Sequence, residues 1–142
     1  MADPDPVATE RRIRDSFARQ SMMATFGAEI LTVAPGAVVI AAPVLPGSRQ
    51  QHGAGHAALA FGLGDSAAGY SALTLLPEGA EVMTAEMKIN LLAPAAGDRL
   101  IATGRVVKAG RRLTIVTAEV ESETDGKRKL VALLQGTMVP VG

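Results

Sequence analysis

From Ala57 to Leu76 the chain is apolar or small at nearly every position, with no alternation and no polar stripe. A run of that length and character predicts a helix covered on every side, the central helix of the domain. The flanking pattern differs. Ala28 to Ala34 and Ala37 to Val44 are short β-rich runs split by the turn dipeptide Pro35-Gly36, and they read as a hairpin. Pro77-Glu78-Gly79 stops the central helix. Val82 to Leu92 then alternates, with Met83, Ala85, Met87, Ile89 and Leu91 on one side and Thr84, Glu86, Lys88 and Asn90 on the other. A period of two predicts a strand with one well-buried face. Arg99 to Lys108, Leu113 to Glu123 and Arg128 to Val139 are three more β-type runs, joined at Ala109-Gly110 and Asp125-Gly126. Before all of these, Asp5 and Pro6 supply an N-cap and first helical position, and Ile13 and Phe17 give a modest apolar stripe on a basic helix ending near Gln20.

The order is therefore helix, two strands, long helix, four strands. Consecutive strands with two-residue turns are largely antiparallel, and one apolar helix must be covered all round. An antiparallel sheet curved around the central helix meets both demands, which makes an α+β fold. Residues 1–20 form an N-terminal extension and helix, and 21–142 a single domain. Glycines inside the central helix each cost about 1 kcal/mol relative to alanine. That penalty makes sense where backbones approach closely. Leu113 to Val120 is apolar on both faces, which predicts partial covering of the outer sheet by a homo-oligomer.

Composition narrows the function classes. Lys plus Arg and Asp plus Glu number 14 each, so no positive field draws nucleic acid or an anionic membrane. There is no cysteine, which removes disulfides, thiolate ligands and a cysteine nucleophile. Met1 to Arg12 holds no apolar core of a secretory signal, and a cytoplasmic location is expected. The Ala57 to Leu76 run has the length of a membrane span, yet Asp65 sits in its middle among glycines and serines, so it reads as soluble core. Met22, Met23, Met83, Met87 and Met138 read as core or pocket lining.

Asp65 is the only Asp, Glu, Lys or Arg between Arg49 and Glu78. An unpaired charge in a buried helix costs several kcal/mol, so Asp65 is held by specific partners or kept for chemistry. A structural carboxylate satisfied by Ser66 or a backbone amide is the plain alternative. His52 and His56 are the only imidazoles, and the glycines between them argue against a metal-binding helical face. No metal site is expected.

The ordered set Gln50-Gln51-His52-Gly53-Ala54-Gly55-His56, Asp65-Ser-Ala-Ala-Gly-Tyr70, Thr84-Ala-Glu86-Met-Lys88-Ile-Asn90-Leu-Leu-Ala-Pro94 and Gly104-Arg-Val-Val-Lys108-Ala-Gly110-Arg111 resembles the hotdog-fold acyl-CoA thioesterases of the phenylacetic-acid type. The resemblance spans about residues 20 to 140. It implies a hotdog fold, a catalytic Asp65, and a loop histidine nine residues earlier, matched by His56. It implies that Gln50 holds the attacking water or the carbonyl, that Thr84 hydrogen-bonds near the aspartate, and that the Ala57 N–H stabilises the oxyanion. His56-Ala57-Ala58 departs from the usual His-Gly-Gly or His-Ala-Gly. Coenzyme A, part of the substrate rather than a cofactor, needs cations, and Lys88, Asn90, Arg111 and Arg112 are the candidates. The base and nucleophile roles of Asp65 both stay open, as do two rival readings: a non-catalytic acyl-CoA binding module and a hotdog hydratase or dehydratase.

Spacing adds a separate expectation. Nine residues on an ideal helix turn about 900° and rise about 13.5 Å, which puts His56 and Asp65 on opposite faces. If they cooperate, they do so between two chains. The resemblance implies the same arrangement, with paired sites at a dimer interface and a dimer of dimers.

Overall fold

The computed structural model describes residues 4–141; the first three residues of the N-terminal extension, and Gly142, lie outside them. Helix α1 spans Pro6–Ala18 and begins as the sequence predicts, with the Asp5 side chain accepting from the Val7 N–H at 3.1 Å and Pro6 in the first turn. Ile13 is fully buried and Phe17 packs partly on the core. Arg12 fixes α1 to the rest of the domain. Its guanidinium donates to the carbonyls of Leu73 at 2.6 Å, Leu76 at 3.1 Å and Pro77 at 2.7 Å, the orphan acceptors at the end of the central helix. A short second helix, α2 (Ser21–Phe26), ends on Gly27 in the left-handed region and was not expected. Six residues carry too little periodicity to declare a helix that tertiary packing alone stabilises.

Strands β1 (Glu29–Ala34) and β2 (Ala37–Pro43) form the expected hairpin about Pro35-Gly36. The central helix α3 spans Ala57–Leu73 and is followed by β3 (Glu81–Leu91), β4 (Arg99–Ala109), β5 (Thr114–Thr124) and β6 (Lys127–Val141). All pairings are antiparallel in one six-stranded sheet of order β1-β2-β4-β5-β6-β3. One expectation needs correction. Strand β3 does not neighbour β4; it lies at the far edge beside β6. The segment from Leu92 to Asp98, with Pro94 and with Gly97 at φ +135°, is a crossover rather than a tight turn.

Leu59, Leu63, Ala67 and Leu73 of α3 are buried against Val38, Ile40, Leu100, Val116, Val120 and Leu134 of the sheet. Each such branched aliphatic contributes about 1.5–3 kcal/mol relative to exposure. Close backbone approach is sharpest at Gly104 of β4, where a Cβ would stand 2.2 Å from the Ala67 carbonyl. The sheet can touch the middle of α3 only because that position has no side chain.

The face assignment of β3 also changes. The register slips between Thr84 and Glu86, a β-bulge that reverses which side chains point inward. Val82 and Thr84 face α3 before the bulge, and Met87 and Ile89 face the core after it. No residue of β3 is fully buried in the single chain, and Met83 is 60% exposed. Among the methionines, Met23 and Met138 are core, whereas Met22 and Met83 are on the surface. The outward residues of β5 run Ile115, Thr117, Glu119, so its second face becomes polar after Thr117. Among the described residues no helix is long and apolar enough to cross a membrane.

Candidate active site

The candidate catalytic residues gather at two clefts. The first is at the start of α3. His56 is its N-cap: Nδ1 accepts from the Ala58 N–H at 2.9 Å, and its own N–H donates to Ser48 O at 2.9 Å. The loop before it is tightly tied. Gln50 N–H donates to Ala54 O at 2.8 Å, Gly55 N–H donates to Ala95 O at 2.8 Å, and the Arg49 guanidinium reaches Gly53 O and Val44 O, each at 2.7 Å. The Gln50 Oε1 accepts from the His52 N–H at 2.5 Å, so its amide nitrogen is left for other partners. Gln50, Ala57, Leu91, Leu92 and Ala95 line this cleft of 420 Å³. Ala57 is the first residue of α3, so its N–H is one of the donors that a helix cannot satisfy internally and sits at the positive end of the dipole.

The second cleft, of 310 Å³, lies between α1, α3 and β3. Asp65 and Thr84 meet in it. The Thr84 hydroxyl donates to Asp65 Oδ1 at 2.7 Å. Burial raises the Asp65 pKa above its ordinary value near 3.8, and the Thr84 hydrogen bond opposes that rise by favouring the carboxylate. The partner is thus neither Ser66 nor a backbone amide. Ser66 donates instead to Gln20 Oε1 at 3.4 Å.

Two residues that sequence reasoning did not single out, Ser16 and Gln20, line the same cleft together with Ser66 and Tyr70, the only tyrosine of the chain. Gln20 Nε2 donates to Tyr70 Oη at 2.8 Å, and Ser16 Oγ lies 3.1 Å from the same oxygen. A polar residue at the break between two helices was the only available signal.

The two clefts share no lining residue, so one chain does not bring Gln50, His56 and Ala57 to Asp65 and Thr84. Strand β3 connects them. Its Thr84 end lies beside Asp65, and its Leu91 end beside Ala57. Lys88 and Asn90 are exposed four and six positions beyond Thr84, about 13 and 20 Å at strand spacing, and point away from the face that Thr84 uses. Arg111 and Arg112 are exposed in the β4–β5 connection. The ladder from Thr114 to Met138 to Thr84 places that connection at the Thr84 end of the sheet. Among the described residues no three His, Cys, Asp or Glu side chains gather as a metal site.

Comparison with known proteins follows this geometry. A family model described as the thioesterase superfamily matches residues 52–129. The chain is similar to a thioesterase family protein from Silicibacter pomeroyi, with 42% identity, TM-score 0.91, and coverage of 94% of this chain and 98% of that one. A mutant of the phenylacetic acid degradation protein PaaI from Thermus thermophilus is 28% identical at TM-score 0.73, covering 84% and 98%. The E. coli PaaI protein of the phenylacetic acid degradation operon is 22% identical at TM-score 0.86, covering 96% of each, and shows the shared fold. No curated protein matches the chain.

Proposed function

The chain belongs to the thioesterase superfamily, a hotdog-fold hydrolase acting on acyl-CoA thioesters, and from that premise we propose that Asp65 is the group that activates or delivers the attacking oxygen. The observation that carries this is the half-buried Asp65 carboxylate held by the Thr84 hydroxyl at 2.7 Å beside an open cleft. A carboxylate whose pKa is raised by burial is a stronger base than one on the surface. Two routes fit it. In one, Asp65 takes a proton from water as the water oxygen attacks the thioester carbon. In the other, Asp65 Oδ attacks first and water hydrolyses the mixed anhydride. In both, the C–S bond breaks, the thiol leaves protonated, and a carboxylic acid forms.

The other half of the machinery comes from the first cleft of a second copy of the chain. The Ala57 N–H, at the α3 N-terminus, donates to the developing oxyanion, and Gln50 holds the water or the carbonyl. His56 keeps this loop in place through its hydrogen bonds to Ala58 and Ser48. The layout of β3 supports pairing. It is an eleven-residue edge strand whose last residue, Leu91, and the following Leu92 are 56% and 54% exposed. Unpaired edges of this length are templates for another strand. Antiparallel pairing of two β3 strands about Lys88 sets the Thr84 end of one against the Leu91 end of the other, and so joins an Asp65 cleft to a Gln50 cleft twice. Two such dimers make the tetramer.

Arg111 and Arg112, at the Thr84 end of the sheet, and Lys88 and Asn90 on β3 are the groups for the phosphates and adenine of coenzyme A. The acyl group, aryl or medium-chain, occupies the cleft beside Asp65, and no cofactor is needed. A cytoplasmic setting suits a chain without cysteine that uses a coenzyme A ester. The test is thiol release from a panel of aryl- and alkanoyl-CoA esters by wild type and Asp65→Asn. Release that disappears in the variant, with oligomer and coenzyme A binding kept, supports the assignment. Equal release by both overturns it.

A further inference from the structure

We infer that Gln20 is a specificity-determining residue which reads a neutral, hydrogen-bonding oxygen on the acyl group; this rests on the placement of the reacting carbonyl at Asp65. Gln20 occupies the N-cap of α2 but makes no capping bond with its side chain. Ser, Thr, Asp and Asn suit that position, and glutamine does not. Its amide is turned inward instead, onto the wall of the Asp65 cleft.

There it is held from two sides, by Tyr70 Oη at 2.8 Å and Ser66 Oγ at 3.4 Å. A primary amide carries two N–H donors. The two contacts use one of them, whichever way the amide is turned, so among the described residues one N–H is left without a protein partner on a side chain that lines the cleft. Tyr70 is 5% exposed and also meets Ser16 at 3.1 Å, which makes the amide a fixed feature rather than a mobile surface group. A half-buried donor kept without a protein partner is rewarded when a ligand oxygen accepts from it.

The surroundings limit the kind of oxygen. Asp65 and Glu81 line the same cleft, and their charge opposes a second carboxylate on the acyl chain. A hydroxyl or keto oxygen meets no such repulsion. The 310 Å³ of space holds about ten atoms at the ~30 Å³ share of a water molecule, so the group is short. Gln20 lies in the connection between α1 and α2, outside residues 52–129 matched by the family model.

The experiment compares kcat/KM for two matched pairs, hexanoyl-CoA with 6-hydroxyhexanoyl-CoA and benzoyl-CoA with 3-hydroxybenzoyl-CoA, in wild type, Gln20→Met and Asp65→Asn. Methionine keeps the length of glutamine and loses its hydrogen bonds. The expected result is at least a tenfold preference of wild type for the hydroxylated member of one pair, collapsing towards one in Gln20→Met mainly through KM. A ratio near one in wild type for both pairs, or a preference that survives in Gln20→Met, overturns the inference. Turnover undiminished in Asp65→Asn overturns the placement of the carbonyl itself, a different failure. Circular dichroism and sedimentation of Gln20→Met establish that the variant is folded and assembled; if it is not, Ser66→Ala, which removes one of the two contacts fixing the amide, must lower the same ratio, and an unchanged ratio overturns the inference.

Discussion

The two halves of the site are built from different materials. At the start of α3 the proposed working group is backbone, the Ala57 N–H, positioned by a histidine cap and a loop laced with main-chain hydrogen bonds. Beside β3 the proposed working group is a side chain, Asp65, partly taken out of water and steadied by the Thr84 hydroxyl. A backbone donor at a helix end costs the fold nothing, because it is unsatisfied in any helix. A half-buried carboxylate opposes folding. The backbone donor at the helix N-terminus is therefore expected to place no burden on stability, and the aspartate cleft is expected to trade stability for activity.

The sharpest break of this comparison is Asp65→Asn. General-base or nucleophilic loss predicts a fall in kcat of about 10³-fold or more, measured by thiol release. The same variant is expected to melt at a higher temperature than wild type near pH 7. The sign follows from linkage. The folded-state pKa of Asp65 is raised, so the native protein binds more protons than the unfolded chain in the window above pH 3.8, and stability falls as pH rises through it. The advantage of asparagine is therefore greatest in neutral solution and shrinks as pH falls through the raised pKa. Loss of melting temperature at pH 7 contradicts the desolvation account.

Mixing tests whether the halves belong to different chains. Asp65→Asn and Gln50→Ala, each impaired alone, are expected to regain up to about half of wild-type activity per mixed dimer after co-refolding, because one of its two sites is then intact. No recovery in a verified mixed dimer shows that both residues act within one chain. A smaller effect is expected at Thr84. Thr84→Val removes the bond that favours the Asp65 carboxylate, so its pKa rises further and the acid limb of the kcat/KM profile moves to higher pH. Activity at the plateau is expected to fall about tenfold, the size of one charge-assisted hydrogen bond. An unmoved limb shows that another group sets it.

How much of this was legible differs between the same two regions. The central helix, its start at His56 and the spacing that separates His56 from Asp65 all follow from apolar content and helical geometry, which are local. The Thr84 contact depended on a bulge that reverses the face of β3, and a strict period of two puts Thr84 on the same side as Lys88. A bulge is set by the partner strand, here by Gly136 of β6, where a Cβ would stand 2.4 Å from Glu86 O. Strand order was hidden for a related reason: nothing local marks Leu92 to Asp98 as a crossover rather than a loop to a neighbour. Gln20 and α2 were invisible because their order comes from Tyr70, fifty residues away.

The smallest expected effect is at the departure from the family pattern. Ala58→Gly restores glycine after His56-Ala57 and leaves the N–H that donates to His56 Nδ1 in place. Alanine is favoured over glycine by about 1 kcal/mol inside a helix, and by less in the first turn where part of the backbone is already free. The predicted cost is thus a fall of a few degrees at most in melting temperature. In the proposed mechanism the reacting carbonyl meets the Ala57 N–H rather than the Ala58 side chain, so kcat with a small acyl ester is expected to change by less than about threefold, less than the effect of one hydrogen bond. A rise of tenfold or more on restoring glycine means that the Ala58 Cβ crowds the thioester, and that the N-terminal half of the site is limited by side-chain bulk after all.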